Sequence, residues 1–148
     1  MASITSANAV LIITIPNLYS NPQQLQGFAA DDIFDIDATE TAETMMGVDG
    51  VLSAGYVFTP KKQKISLQAD SASNVLFETW KEAQDQITDV YFASGSITLS
   101  AINRKYTLLN GVLSMYPTVA AAKRVLQPKV YEITWQNVVR APTGANAL

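Results

Sequence analysis

The sequence contains no cysteine and no histidine. Without cysteine the chain forms neither disulfides nor thiolate metal sites, and without histidine it lacks the imidazole ligands that are typical of catalytic zinc. The same absences exclude Ser-His-Asp and Cys-His catalytic systems. An enzyme of this composition would depend on carboxylates, lysine or tyrosine, so we expect a protein that is not an enzyme and has no cofactor.

Charged residues are also scarce, at 16% of the chain, whereas apolar residues make up 48% of the 148 residues. This length supports one domain with a sizeable core, and no shift in composition marks a linker, so we expect a single domain over residues 1–148. The longest apolar run, Ala9 to Ile15, is too short to span a bilayer and follows no basic residues that would resemble a secretion signal. These features predict a soluble protein that is made and kept in a cytoplasm, with no membrane partner.

The few charges are unevenly divided along the chain. Residues 1–60 carry a charge of −7 with no Lys or Arg, whereas residues 61–148 carry a charge of +4. Either the charges of the two halves mix on the solvated surface of one folded domain, or the acidic half of one copy attracts the basic half of another. A nucleic-acid-binding surface is disfavoured, because its basic side chains would dominate the net charge, which is −3.

One stretch, residues 71–87, has the period of an amphipathic helix that covers a sheet. Its apolar stripe consists of Ala72, Leu76, Trp80, Ala83 and Ile87. Phe77 lies about 100° away from this stripe, so we expect it to be partly exposed. Lys81 falls on the polar side with Asp85. Phe77 and Lys81 are therefore candidate contacts on an outer face of the helix.

Most of the remaining chain has the pattern of short strands. The last of them, from Lys129, is predicted to turn Tyr131, Ile133 and Trp135 inward and Glu132 outward. Three strands are predicted over residues 88–116, and Gly111 inside the third indicates a bulge or a close backbone approach. Regular short strands indicate an antiparallel sandwich or barrel.

Residues 31–38 alternate in the manner of a half-buried strand with an acidic outer face. Phe34, Ile36 and Ala38 are predicted to point inward, and Asp35 and Asp37 outward. Two carboxylates are ligands that a divalent cation accepts, but a flat strand lacks the tight loop and the further oxygens that such a site needs. A metal site is therefore disfavoured.

Residues 38–50 show no clear strand period and are predicted to form a loop, which is long for an idle connection. Within it, Met45 and Met46 form either an adaptable apolar contact with a partner or a cap on the core. Residues 51–69 are predicted to form a hairpin with its turn at Pro60 to Gln63. Its first strand places four residues on one face: Leu52, Ala54, Tyr56 and Phe58.

Two segments near the C-terminus have weak patterns. Residues 118–127 are predicted to form a short helix or an irregular arm. Residues 141–148 are small and are predicted to form a loose tail.

Several of these segments together resemble the tail tube proteins of contractile-tailed bacteriophages. The likeness is carried by MMGVDG before GYVFTP, by LQADSASN before the helix, and by the closing KVYEITWQN. The resemblance implies a mainly β fold in which two packed antiparallel β-sheets, as a sandwich or partial barrel, are flanked by one helix. It also implies six-membered rings that stack head to tail into the inner tube of a contractile tail, the conduit for DNA ejection. Tube proteins of type VI secretion systems and phage-like bacteriocins share this fold, so the resemblance leaves the tube of either system as an alternative function of this chain.

The resemblance further implies partners and a location in the virion tail. The partners are further copies of the chain, the tail sheath, baseplate and tail terminator proteins, and the tape measure protein and DNA in the lumen without specific binding. The loop at residues 39–50 would reach a neighbouring subunit or ring, and Asp35 and Asp37 would line the lumen. We expect acidic and apolar loop residues to meet basic residues of the next ring: Glu40, Glu43, Met45, Met46 and Asp49 against Lys61, Lys62 and Lys64.

Two rival functions are compatible with the composition. A virion decoration or baseplate β-sandwich would share the fold but would not polymerise into tubes. A carboxylate-based glycosidase would use Asp35 and a second acid as acid and base. The glycosidase is disfavoured, because nothing in the sequence indicates a substrate-stacking cleft.

Overall fold

The computed structural model describes residues 9–28, 34–99, 102–120 and 122–141. Within them the chain forms nine strands and one helix. In chain order they are β1 Ala9–Ile15, β2 Tyr19–Gln24, β3 Phe34–Ile36, β4 Ala42–Met46, β5 Leu52–Tyr56, β6 Lys61–Leu67, α1 Asn74–Ile87, β7 Ala93–Leu99, β8 Arg104–Met115 and β9 Lys129–Ala141. The predicted class, mainly β with antiparallel sheets and one helix, is confirmed.

Seven of the strands form one antiparallel sheet in the order β2-β1-β7-β8-β9-β6-β3. The long strands β8 and β9 lie at its centre. In the described part of the chain this sheet is not closed into a barrel, so β2 and β3 are edge strands. β4 and β5 form a separate two-stranded sheet.

The core lies between one face of the large sheet and α1. Alternate residues of three strands are fully buried there: Leu11, Ile13, Ile15, Ile65, Leu67, Tyr131, Ile133 and Trp135. The inward positions predicted on β9 are thereby confirmed. Glu132 lies on the other face of β9, as predicted, yet it is only 9% exposed. Its carboxylate accepts the hydroxyl of Ser114 on the neighbouring β8 at 3.3 Å.

The buried side of α1 is rotated relative to the predicted stripe. Leu76 and Trp80 are buried as predicted, but Ile87 is exposed. The expectation that Phe77 is partly exposed is wrong, because its ring is fully buried and stacks on Tyr131 with ring centroids 4.1 Å apart. In the described residues no helix is both long and apolar enough to cross a membrane.

Polar contacts to the sheet fix the start of α1. Ser73 is the N-cap residue, but its hydroxyl makes no capping bond and instead accepts the Gln26 N–H at 2.7 Å. The side chain of Asn74 is buried and donates to the Gln68 carbonyl at 3.0 Å. Its oxygen accepts the Tyr131 hydroxyl at 2.8 Å, which ties the first helical turn to β9.

Between α1 and β9 the structure has two strands where three were predicted. Residues 88–94 and 95–102 do not form separate strands, because Gly95 continues the ladder to β1 instead of making a turn. Ser100 and Ala101 lie outside the described residues. Gly111 lies beside a register shift between β7 and β8, and a Cβ atom there would overlap the ring of Trp135. The predicted bulge or close approach at Gly111 is confirmed.

The segment from residue 38 to residue 69 differs most from the prediction. Residues 42–46, predicted as part of a loop, form β4 and pair with β5, so the hairpin has its turn between Met46 and Leu52. The hairpin predicted over residues 51–69 is wrong, because β6 pairs with β9 and β3 instead of β5. Gly50 has φ +84° and supports the turn, since glycine adopts this backbone conformation without strain.

Three remaining predictions concern residues 118–127, the C-terminal tail and the acidic strand at residues 31–38. Residues 117–128, here called the arm, are irregular where described and contain a single β-bridge between Ala122 and Leu126, so the irregular form of the prediction is confirmed. The predicted tail lies outside the described residues beyond Ala141, and so do residues 31–33 of the acidic strand. Ala38, predicted to point inward at the end of that strand, is exposed because β3 ends at Ile36.

Candidate assembly surface

β4, β5 and the turn between them form the most exposed apolar surface of the described chain. In this segment, residues 42–56 and here called the hairpin, all ten strand residues are exposed. The register pairs Met46 with Leu52 and Ala42 with Tyr56, so these residues share one face. Phe58 follows on the same side, 92% exposed, with its ring edge-on to Tyr56 at 4.9 Å.

A hairpin with this composition is not expected to hold its shape alone. Isolated two-stranded hairpins are marginally stable in water at best, and they need a third strand or another packed element. Burying a large apolar side chain contributes about 1.5 to 3 kcal/mol, which the hairpin forgoes in the single chain. A contiguous exposed patch of this kind marks an interaction site.

Hydrogen bonds close the base of the hairpin by joining its two ends. The Thr59 hydroxyl donates to the Glu40 carbonyl at 2.7 Å, and the Val57 N–H donates to the Thr41 carbonyl at 3.2 Å. The Lys61 ammonium donates to the Thr59 carbonyl at 2.9 Å. The hairpin therefore joins the sheet at the Lys61 end of β6.

The predicted acidic and apolar contact residues lie in the hairpin or at its base, with Glu43 and Met45 on one face of β4 and Met46 on the other. Glu43, Met45 and Met46 lie on β4, Asp49 lies in the turn, and Glu40 lies at the base, all of them exposed. The alternative that the two methionines cap the core is wrong. The Asp49 carboxylate accepts the Val51 N–H at 3.1 Å and so shapes the turn.

The predicted basic partners do not lie at a hairpin turn. Lys61, Lys62 and Lys64 all lie in β6, where Lys61 is opposite Trp135 and Lys62 is opposite Thr134. Lys64 has Asp35 on one neighbouring strand and Glu132 on the other. The predicted turn is absent because β6 pairs with β9 and β3 and not with β5.

The two candidate lumen residues lie at the β3 edge of the large sheet. Asp35 is exposed on β3, and Asp37 is exposed just after it, where its N–H donates to the Lys62 carbonyl at 3.0 Å. Because Asp35, Lys64 and Glu132 lie opposite each other on adjacent strands, this row alternates in charge. Among the described residues no group of three acidic side chains is arranged to hold a metal ion.

The outer face of α1 keeps one of its two predicted contact residues. Lys81 forms an ion pair with Asp85 one turn later, and both side chains are partly exposed. Phe77 is unavailable for an outside partner because it belongs to the core.

A buried charge that the sequence did not reveal joins α1 to the start of β9. The Lys129 ammonium lies 3.6 Å from the Glu78 carboxylate and over the rings of Tyr116 and Tyr131, at 5.4 and 5.6 Å from their centroids. Burial, followed by the nearby Tyr116 and Glu78, raises the pKa of the Tyr131 hydroxyl far above its usual value. The cluster is structural, since it lies at the helix–sheet junction and away from the hairpin.

Comparisons with known proteins agree with an assembly role. The sequence matches the family model described as tail fiber protein gp32 over residues 2–139. No curated protein matches the sequence. The structure is similar to a chain in a cryo-EM structure of the anti-feeding prophage baseplate, 6-fold symmetrised, with a TM-score of 0.59 and 11% sequence identity. The similarity covers 97% of this chain and 99% of that chain, and at this identity it establishes a shared fold.

Proposed function

Because this chain belongs to the family of tail fiber protein gp32, and is thus a structural protein of a phage tail or baseplate, we propose that six copies close into a ring and that rings stack as the inner tube of a contractile tail. The resemblance to tail tube proteins supports the tube. The number six is also the symmetry of the baseplate that contains the similar chain.

The observation that carries the proposal is the exposed apolar hairpin. Among the described residues its apolar side chains stay open to solvent, with Met46, Leu52, Tyr56 and Phe58 between 58% and 92% exposed, and a repeated contact with further copies would bury them in every subunit. β2 and β3, the edge strands of the large sheet as described, add backbone groups at its opposite ends that further copies would also cover. A heterologous contact that closes by rotation forms a ring.

In such a tube we assign the lumen to the face of the large sheet that points away from α1. This face carries hydroxyl side chains in register on adjacent strands, such as Ser96 opposite Thr107, and the alternating row of Asp35, Lys64 and Glu132. DNA binding depends on a net excess of Lys and Arg, so DNA and a tape measure protein would pass without adhering. The outer side of α1, with Lys81 and Asp85, would face the sheath.

A second candidate function is a baseplate ring that does not polymerise. The similar chain in the anti-feeding prophage baseplate favours it. The two functions require the same ring, and they differ in whether rings stack. As a tube, the protein would be bounded by the baseplate at one end and the tail terminator at the other, and it would assemble in the host cytoplasm into the virion.

Electron microscopy and light scattering of the purified protein over a wide concentration range test the proposal. We expect six-membered rings at low concentration and tubes at high concentration. Single rings at every concentration would favour the baseplate function. A monomeric mass throughout would overturn both functions.

The lumen assignment has its own test in assembled phage. Asp35→Lys combined with Asp37→Lys adds positive charge to the sheet edge, so we expect normal tails that eject DNA more slowly. Normal infectivity would remove these residues from the lumen. Loss of assembly would place them in an interface.

A further inference from the structure

The arm carries a second exposed apolar surface. Val125 and Leu126 are 67% and 60% exposed. Together with Ala69 and Pro128 they line an open groove of about 840 Å³. A groove of this volume is as large as those that hold drug-sized ligands, so it has room for several apolar side chains.

The groove and the hairpin lie at opposite ends of the same strand. The hairpin joins β6 at Lys61, which is opposite Trp135, whereas the groove begins at Gln68, just after the pair of Leu67 and Lys129. Seven residues of extended strand separate these ends by roughly 20 Å. The hairpin accordingly remains uncovered in the single chain.

The two surfaces are also opposite in charge. The hairpin and its base carry Glu40, Glu43 and Asp49, and there is no basic residue before Lys61. The arm carries the exposed Lys123 and Arg124 and no acid of its own, although Asp70 lies on the facing wall of the groove. Charged side chains at the solvated edge of an interface orient the two partners, while burial of apolar side chains supplies most of the affinity.

From these observations we infer that the apolar face of the hairpin docks into the arm groove of a second copy of this chain. The inference rests on the proposed function, since it names the surface that receives the hairpin in the assembly. The contact is heterologous, so each copy offers a free hairpin at one end and a free groove at the other. Its basic partners are Lys123 and Arg124, in place of the lysines of β6.

Cysteine cross-linking tests the contact directly, because the chain has no cysteine of its own. Leu52→Cys labels the hairpin, and Leu126→Cys labels the groove. Mixing the two single variants under mild oxidation is expected to give a disulfide-linked dimer of one copy of each. The matched control replaces Leu126→Cys with Val75→Cys, which is equally exposed but lies on the first turn of α1.

A variant with both substitutions sharpens the test, since head-to-tail docking predicts a ladder of linked multimers on a non-reducing gel. A fast-migrating monomer would mean an intrachain link and would overturn the inference, as would equal linking to Val75→Cys. Rings or tubes that form without links to Leu126→Cys would overturn the docking alone. Disulfide links within particles that are neither rings nor tubes would support the docking and overturn the proposed function. A chain that stays monomeric and unlinked would overturn both.

Charge reversal gives an independent measurement of the same contact. We expect Lys123→Glu with Arg124→Glu to weaken association about tenfold at low salt, and Glu40→Lys with Glu43→Lys to restore most of it. Lys62→Glu with Lys64→Glu, at two exposed lysines of β6, is the matched control, because it leaves Lys61 and the base of the hairpin in place. A larger loss from this control than from the arm variant would overturn the inference.

Discussion

β5 and β6 are neighbours in the sequence, separated only by residues 57–60, yet their side chains lie in opposite environments. β6 contains three lysines, and its alternate residues Gln63, Ile65 and Leu67 are buried. β5 contains no charged residue, and all five of its residues are exposed. The more polar strand lies in the sheet that forms the core, and the less polar strand lies in solvent.

The difference shows that neighbouring elements decide whether a strand is buried. β6 lies between β9 and β3, so its inward side chains are covered while the long lysine side chains keep their charged ends in water. β5 pairs with β4 alone, and all five of its residues stay exposed in the part of the chain that the structure describes. An apolar strand without cover inside the chain points to cover from another chain.

The largest effect on stability is expected from a core residue. Trp80→Ala removes a fully buried indole whose N–H donates to the Tyr91 carbonyl at 3.1 Å, so the free energy of unfolding should fall by about 3 to 5 kcal/mol. Urea unfolding of non-assembled protein measures it. The hairpin control Phe58→Ala should stay within about 0.5 kcal/mol. Equal losses from both variants would remove the contrast between core and hairpin.

The next effect is expected on association. Leu52→Ser combined with Tyr56→Ser removes two large apolar side chains from the exposed face, which should cost about 3 kcal/mol of association free energy or more, at least 100-fold in affinity. The unfolding free energy of the monomer should be nearly unchanged. Analytical ultracentrifugation measures the association. Ser53→Thr, on the other face of β5, is the control and should leave the affinity as it is.

A smaller effect is expected where α1 joins the sheet. Asn74→Ala leaves the buried Tyr131 hydroxyl without its acceptor and removes one of the two donors to the Gln68 carbonyl, which should lower the unfolding free energy by about 1 to 3 kcal/mol. Tyr131→Phe, the matched control, should cost about 1 kcal/mol. The double variant should cost less than the sum of the two, because they share one hydrogen bond. Strict additivity would contradict this account.

The smallest effect concerns the charge row across β3, β6 and β9. Lys64→Glu would place like charges opposite Asp35 and Glu132, so we expect a loss of about 0.2 to 1 kcal/mol for each pair, reduced at high salt. Lys64→Gln, which removes the charge without reversing it, should lose less. Thermal melts at low and high salt measure both variants. A loss that salt leaves unchanged would mean that the row acts through packing.

Local sequence patterns correctly predicted buried residues where these recur at the regular spacing of a strand or a helix. The alternation around Tyr131, Ile133 and Trp135 identified the buried side of β9, since a strand covered on one face buries every second residue. The helical period also placed Leu76 and Trp80 in the core. Phe77 could not be placed this way, because it is buried by Tyr131, a residue more than fifty positions away.

Strand pairing around the hairpin depends on contacts between residues that are far apart in the sequence. Asp49-Gly50 is a strong hairpin signal, and it lies in the observed turn between β4 and β5. The prediction instead joined β5 to β6 through a turn at Pro60 to Gln63. The partner of β6 is β9, far along the chain, so the predicted hairpin turn at Lys61 and Lys62 does not form. The apolar face of β5 was predicted correctly as a pattern, but its exposure was not.

Gly111 has a consequence for the shape of any assembly. The strand that contains it shifts register there, Asn110 beside it has φ +46°, and the Trp135 ring lies flat against the glycine. A bulge of this kind bends a strand and increases its twist, so the curvature of the large sheet is set within a single subunit. In a ring of such subunits this bend would contribute to the width of the channel, and a side chain at Gly111 would alter the bend by displacing the Trp135 ring.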